Sequence, residues 1–385
     1  MKLSQFFFTI PPLFFATCIY MLGLCAEQTK QHQIIFLLLF TCCATATYLL
    51  HKNKSSKKLI AVPLLLFLFY PLGALLLYTQ KEHYQTFYEQ IDSQLLDISG
   101  TITDISYIDH HLYSAVITLN NIAIDGKKLH KKIQIYTVMP ENIQIADTVE
   151  LHNIKIKKAS SESYQQYLLK EGIITTIFIT KPIIELLDRP TYSINRWIDN
   201  KRQDIYERLQ KKISSAGFSA FGPIFLGKKN IRKKENMWIN TALFTTWGIT
   251  HYLARSGLHL VVLIALWLTI FNFLPLSFNN KQWFLLTISI IYFLFSWSSI
   301  PFYRALATLI FHRVCLLARL QSHFLHLLIV TCFLILLHNP IQLFFLDFQL
   351  SFGLTFALAC FSHINGYKKT ENNQTLAMPL KNILG

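Results

Sequence analysis

The sequence predicts a polytopic α-helical membrane protein of about eight spans, interrupted by one inserted all-β domain. Three observations carry this expectation. Hydrophobic residues make up 52% of the 385 residues and mean hydropathy is +0.35, too apolar for an ordinary soluble protein. The apolar residues gather in long runs toward both ends of the chain. Between Gln80 and Asn236 the composition changes to short alternating segments, none apolar enough to span.

Residues 6–25, 34–50, 59–78, 283–300 and 325–338 read directly as spans, the last extended by its neighbours. Residues 241–273 and 341–363 are spans interrupted by polar groups, and 305–320 is an eighth that contains His312 and Arg313. Residues 1–10 lack the short apolar core and small-residue cleavage site of a signal peptide, so the first run reads as a retained anchor. Orientation follows from the short loops. The segment HKNKSSKK (51–58) carries four lysines, whereas 26–33 has Lys30 balanced by Glu27. The positive-inside rule puts 51–58 in the cytoplasm and residues 80–236 outside the membrane. The expected organisation is 1–79 amino-terminal membrane helices, 80–190 exported β-domain, 191–236 basic connector, 237–365 second membrane domain and 366–385 polar tail. All seven cysteines fall in apolar segments, which argues against disulfides or a metal site in the exported domain.

From Leu95 the chain alternates through ISGTITDISYI, YSAVITLNNIAI, KKIQIYTV, DTVELHNIKIK and GIITTIFIT. Period-two patterning with Asn120-Asn121 and Asp125-Gly126 as turn signals predicts five antiparallel strands. Asp147 opens the fourth, and 160–170 forms a helical excursion before the fifth. Five strands with a helical insertion suit a small closed barrel, of which the OB-like barrel is one. Lys127, Lys128, Lys131, Lys132, Lys155, Lys157 and Lys158 with Tyr107, Tyr113 and Tyr136 form a candidate nucleic-acid surface, a basic groove with aromatic platforms. A solvated basic face is the alternative. Further on, Ile194, Trp197, Ile198, Ile205, Leu209 and Ile213 make one helical stripe, with Lys201, Arg202, Arg208, Lys211 and Lys212 around it. Such a helix suits the membrane interface or the mouth of a pore. Between 201 and 235 ten Lys/Arg stand against three Asp/Glu. On the outer side this runs against the usual bias. It is read as serving a polyanion, with inverted orientation as the alternative.

The polar groups of the second half recur in three places: WGITHYLARSGLHL (247–260), PFYRALATLIFHR (301–313) and LDFQLSFGLTFA (346–357). Ionisable groups at membrane depth are costly, so they face a protein interior or a hydrated cavity. Arg255 and Arg304 are permanently charged forks suited to compensating mobile phosphates. Gly257 permits a helix break, and Ser256 can satisfy freed carbonyls. Interhelical hydrogen bonding is the plainer reading of His251, Ser256 and His259. In an unbroken helix His251 and His259 lie about 12 Å apart, too far for one metal ion.

Together these segments resemble the ComEC family of bacterial DNA-uptake channel proteins. The resemblance rests on GITHYLARSGLHL, on a proline followed closely by Arg304-Ala305, and on FQLSFG after Asn339-Pro340. It extends to FLGKK (225–229), to DTVEL (147–151) and to YQQYLLKEGI (164–173), spanning most of residues 60–365. It implies a multi-pass protein of the bacterial inner membrane that passes one strand of incoming DNA to the cytoplasm during natural transformation. It also implies an OB-like exported domain. The residues placed on the DNA path are His251, Arg255, Ser256, Gly257, His259, Arg304, Gln349 and Ser351. No cofactor, metal or catalytic residue is expected. The expected partners are single-stranded DNA, the lipid bilayer, other competence proteins and a separate nuclease. Full-length members continue into a metallo-β-lactamase-like nuclease domain, whereas this sequence stops at Gly385 and has no HxHxDH motif. A minimal form, one part of a split system and a non-transporting remnant all fit that departure. A membrane-embedded hydrolase built on Ser256 with His251 or His259 is the other reading. It lacks an acidic partner nearby, since Asp347 is the only carboxylate of the later spans.

Overall fold

A computed structural model of the chain describes residues 12–52, 66–91, 95–109, 112–119, 123–124, 127–128, 132–138, 143–155, 161–179, 184–214, 217–218, 221, 246, 257–295, 300–320 and 323–362. In chain order these form α1 (Pro12–Thr29), α2 (His32–Lys52) and α3 (Phe69–Ile91), then strands β1 (Leu95–Asp109), β2 (Leu112–Leu119), β3 (Ala123–Ile124), β4 (Lys127–Lys128), β5 (Lys132–Val138) and β6 (Thr148–Lys155). Helix α4 (Glu162–Glu171), strands β7 (Ile173–Ile179) and β8 (Ile184–Asp188) and helix α5 (Ile194–Lys212) follow. The second half holds α6 (Gly257–Asn272), α7 (Phe278–Phe295), α8 (Ile300–Leu317), α9 (Phe324–His338), a 3₁₀ turn at Pro340–Phe344 and α10 over 346–362. They divide into two compact units, Met1–Leu77 with Arg304–Gly385, and Tyr78–Tyr303.

In the first unit α1 and α3 approach backbone to backbone. A Cβ on Gly23 would strike the Tyr70 carbonyl oxygen, and one on Gly73 the Tyr20 carbonyl oxygen. Helices in an apolar medium pack by dispersion, so small residues at the crossing are what allow contact. Tyr20 is fully buried and donates its hydroxyl to the Leu336 carbonyl at 3.0 Å, satisfying one orphan acceptor in the last turn of α9. Between α8 and α9 the Thr308 and Thr331 hydroxyls lie 3.3 Å apart, and each also bonds a carbonyl of its own helix. Gly23→Ala and Gly73→Ala are each expected to cost about 1–3 kcal/mol by overpacking. Leu38→Ala, at an exposed position of α2, should leave the melting temperature of the detergent-solubilised chain nearly unchanged. Equal melting of all three variants would refute the close crossing.

In the second unit the main sheet has six strands in the order β7-β5-β2-β1-β6-β8. Its core side is apolar: Ile98, Ile102, Ala115, Ile117, Ile133, Ile135, Val149, Leu151 and Ile177 are buried. The 15-residue β1 serves two partners, β2 and β6, and its ladder slips between Leu96 and Ile98 and again between Ile102 and Asp104. Such bulges sharpen the local twist and let one long strand bend across a sheet. At Gly100 a Cβ would meet Ile117 and the Thr118 carbonyl, so that position needs glycine for the close approach of β2.

One expectation goes unconfirmed here and one changes. Helices occupy parts of all eight apolar segments, yet among the described residues no helix is long and apolar enough to cross a membrane. The physical reason is reach and polarity. The 15 residues of α9 rise about 22 Å, against a hydrocarbon core of about 30 Å. Helix α3 runs on past the apolar segment through Lys81, Glu82 and Glu89. The change concerns the sheet, which is mixed rather than antiparallel. β7 pairs parallel with β5, Tyr136 opposite Phe178 and Thr137 opposite Ile179. Between them the chain passes through β6 and α4, the kind of crossover a parallel pair requires. β8 is an added sixth strand on β6, and the described residues do not close the sheet into a barrel.

Candidate nucleic-acid surface and polar centre

Along β5 the side chains alternate: Ile133, Ile135 and Thr137 are buried, while Lys132, Gln134 and Tyr136 take the other face. Tyr136 stands opposite Ser114 of β2 and Phe178 of β7, and Gln134 donates to the Ser114 hydroxyl at 2.8 Å. The rings of Tyr136 and Phe178 stack at 4.7 Å between centroids and 9° between planes. Helix α4 adds Tyr164 and Tyr167, themselves stacked at 6.1 Å and 15°, and the Tyr164 hydroxyl lies 2.8 Å from that of Thr176. Thr176 is two residues before Phe178, on the same face of β7. The helix is stopped by Gly172 at φ +70°, whose N–H bonds the Leu168 and Leu169 carbonyls. Burial raises the Tyr136 phenol, as does neighbouring Tyr164, against a lowering bond from Ser114. Tyr167 is raised by burial, then by Glu171 and the two other tyrosines.

Of the expected basic surface, Lys132 is exposed on this face. Tyr113 stands opposite Thr137, so the register puts it on the other face from Tyr136. Lys127 and Lys128 form β4, paired with β3, and Lys155 ends β6 opposite Leu95. Lys131, Lys157, Lys158 and the Asn120-Asn121 and Asp125-Gly126 turns lie outside the described residues.

Asp147, expected only as a strand opener, is the hub of the domain. It is 0% exposed and accepts from the Gln144 N–H (2.8 Å), from Arg189 Nε and Nη2 (3.1 and 2.7 Å) and from Arg196 Nη2 (2.5 Å). Arg196 further donates to the Ile145 and Pro190 carbonyls. Burial pushes the Asp147 carboxyl up, but the Arg189 and Gln144 hydrogen bonds and both guanidinium charges outweigh it, leaving its pKa below the ordinary carboxylate value. The Ala146–Asp147 backbone exchanges two hydrogen bonds with Ile102, with Ala146 at φ +70°. Arg189 follows β8 directly and Arg196 sits in the first turn of α5. One carboxylate therefore ties the sheet to the helix that leaves it.

Helix α5 starts at Ser193, whose hydroxyl accepts the Arg196 N–H. Its fully buried residue is Tyr206, edge-on to Phe218 at 4.7 Å, while Ile194, Trp197 and Ile205 remain exposed. The expected apolar stripe is thus only partly the packed face. Arg202, counted among the surrounding cations, donates to the Leu294 carbonyl at 2.7 Å, and Trp197 meets Phe295 at 6.1 Å. A guanidinium on the last carbonyls of α7 is where a helix C-terminus favours a cation.

The membrane-type polar centre is partly described. His251, Arg255 and Ser256 lie outside the described residues, and Gly257 and His259 fall in the first turn of α6. Arg304 is half-buried. Its Nη1 donates to the Thr355 hydroxyl at 2.5 Å and its guanidinium lies 5.6 Å from the Phe352 ring centre. Thr355 donates in turn to the Ser351 carbonyl at 2.7 Å, and the buried Ser351 hydroxyl has no partner among the described residues. Gln349 turns outward and donates to the Leu343 carbonyl. The structure thus brings Arg304 and Ser351 together through Thr355, and leaves Gln349 apart. Sequence reading missed Thr355, Phe352 and the aromatics Tyr164, Tyr167 and Phe178. The hydroxyl one turn after Ser351 was the signal for Thr355, and the Tyr-x-x-Tyr spacing on a helix was the signal for Tyr164 and Tyr167.

Residues 235–381 match the family model described as Competence protein. Over those residues the chain is similar to the ComEC competence family, whose members are membrane proteins, and the match supports a role in competence and DNA uptake. No curated protein and no solved structure matches the chain.

Proposed function

We propose that the chain is a non-catalytic component of the bacterial inner membrane that passes single-stranded DNA into the cytoplasm, its β-domain meeting the strand on the outer side. The observation that carries the reading is Arg304, held by Thr355 and Phe352 among apolar helices inside the competence-family region. A fixed cation there supplies charge compensation for phosphates in a medium of low dielectric. The moving anion would be its partner in such a site, with the Ser351 hydroxyl, unpartnered among the described residues, one turn before Thr355. Helix α10 supports the membrane setting. Leu346, Leu350, Leu354 and Leu358, at four-residue spacing, are 60–65% exposed, while Phe348 and Phe352 are buried. A continuous leucine stripe of this kind is suited to lipid. The strand sequence β7-β5-β2-β1-β6, with its parallel β5–β7 pair, supports an OB-like domain with β8 added at its edge. Other competence proteins and a separate nuclease would complete the path.

Topology tests the reading. Single cysteines at Lys54 and Gly126 should label oppositely in intact cells, position 126 from outside and position 54 only after the inner membrane is permeabilised. Reversed labelling would put the β-domain behind the barrier and end its role in meeting the incoming strand.

A further inference from the structure

We propose that Tyr136, Tyr164, Tyr167 and Phe178 form a base-stacking platform for single-stranded nucleic acid at the β5–β7–α4 edge of the β-domain. This deepens the DNA-handling reading and rests on it. The four rings come from three separate elements and converge on one face. Tyr136 and Phe178 are registered opposite one another on parallel strands and stack with nearly parallel rings. Tyr164 and Tyr167 stack in the same manner and are tied to the strand pair through Thr176.

Phe178 is 75% exposed and Tyr167 44%. Phe178 stands on β7, an edge of the sheet, where an exposed aromatic invites association unless something occupies it. The chemistry of the face selects the occupant. Flat rings accept the π-face of any base, a sequence-tolerant contact suited to a strand that moves. Lys132 sits on the same face, four residues before Tyr136, within reach of a phosphate. Burial raises the Tyr136 and Tyr167 phenols still further above neutral pH, so these two rings add no charge that repels phosphate. A chain of formal net charge +15 favours a polyanion over a cationic or neutral peptide.

The test uses the full chain in detergent and a fluorescent dT oligomer of about 16 nucleotides, alongside an abasic oligomer of equal length. Wild type should bind dT about tenfold more tightly than the abasic strand, and Phe178→Ala and Tyr167→Ala should each remove most of that difference. Phe178→Trp should retain it, and unchanged melting would show that the variants fold. Equal binding of the two oligomers by wild type, undiminished dT binding by both alanine variants, or no binding would each overturn the platform. Equal oligomer binding with DNA uptake still dependent on Arg304 would overturn the platform alone and leave the channel reading standing.

Discussion

Asp147→Ala is expected to lower the stability of the β-domain by about 3–5 kcal/mol, the cost of removing one partner from a buried ion pair. The size follows from what is stranded. Arg196 is 13% exposed at its side chain and would lose its carboxylate while still holding two carbonyls, whereas Arg189, at 39%, can turn to water. Most of the loss therefore belongs to Arg196. The Gln144 N–H also loses its acceptor, and the turn that holds Ala146 at positive φ loses its anchor. Hydrogen exchange on the full chain should reveal this as faster exchange at the Ile102 and Ala146 amides. Wild-type protection at both amides would mean that the carboxylate is dispensable. The pH dependence has a definite sign. The folded pKa is depressed, so the contribution is complete above the unfolded value of about 3.9 and is lost as pH falls through the folded pKa. Between pH 7 and 5 the hub should contribute no change in melting temperature.

Arg304→Ala is expected to abolish DNA uptake per molecule of inserted protein while leaving abundance nearly intact. Arg304 holds one hydroxyl and one ring face, and Thr355 keeps its bond to the Ser351 carbonyl without it. The structural loss is small beside the loss of a fixed charge that, on the proposed path, would face the anion. Arg304→Lys should keep part of the activity, since the charge survives and the planar fork does not. Thr355→Val removes the contact but not the charge and should leave a similar fraction. Arginine variants that match wild type per inserted molecule would make Arg304 a packing residue.

The positions of the helices were legible because hydropathy over a long window is a strong signal. Their spanning lengths were not: α3 carries helix past its apolar segment into Lys81 and Glu82, and α9 ends at His338 after 15 residues. Strand positions followed from period-two alternation, which records burial on one face and says nothing of direction. The parallel pairing of β7 with β5 therefore escaped it, since that pairing is set by the crossover through α4. The same limit hid both side-chain clusters of the β-domain. Asp147 meets Arg189 and Arg196 across 42 and 49 residues, and Tyr136 meets Phe178 across the sheet. Arg304 was legible as an ionisable group in an apolar run; its partner Thr355, an ordinary residue in a helix, was not.

The most direct measurement follows labelled donor DNA into cells of the source organism that lack this chain. Single-stranded label should fail to reach the cytoplasm in those cells while DNA still binds at the surface. Expression of the intact chain should restore it, and expression of the Arg304→Ala chain should not. Undiminished entry of single-stranded label without the chain would contradict the assignment of DNA passage to it.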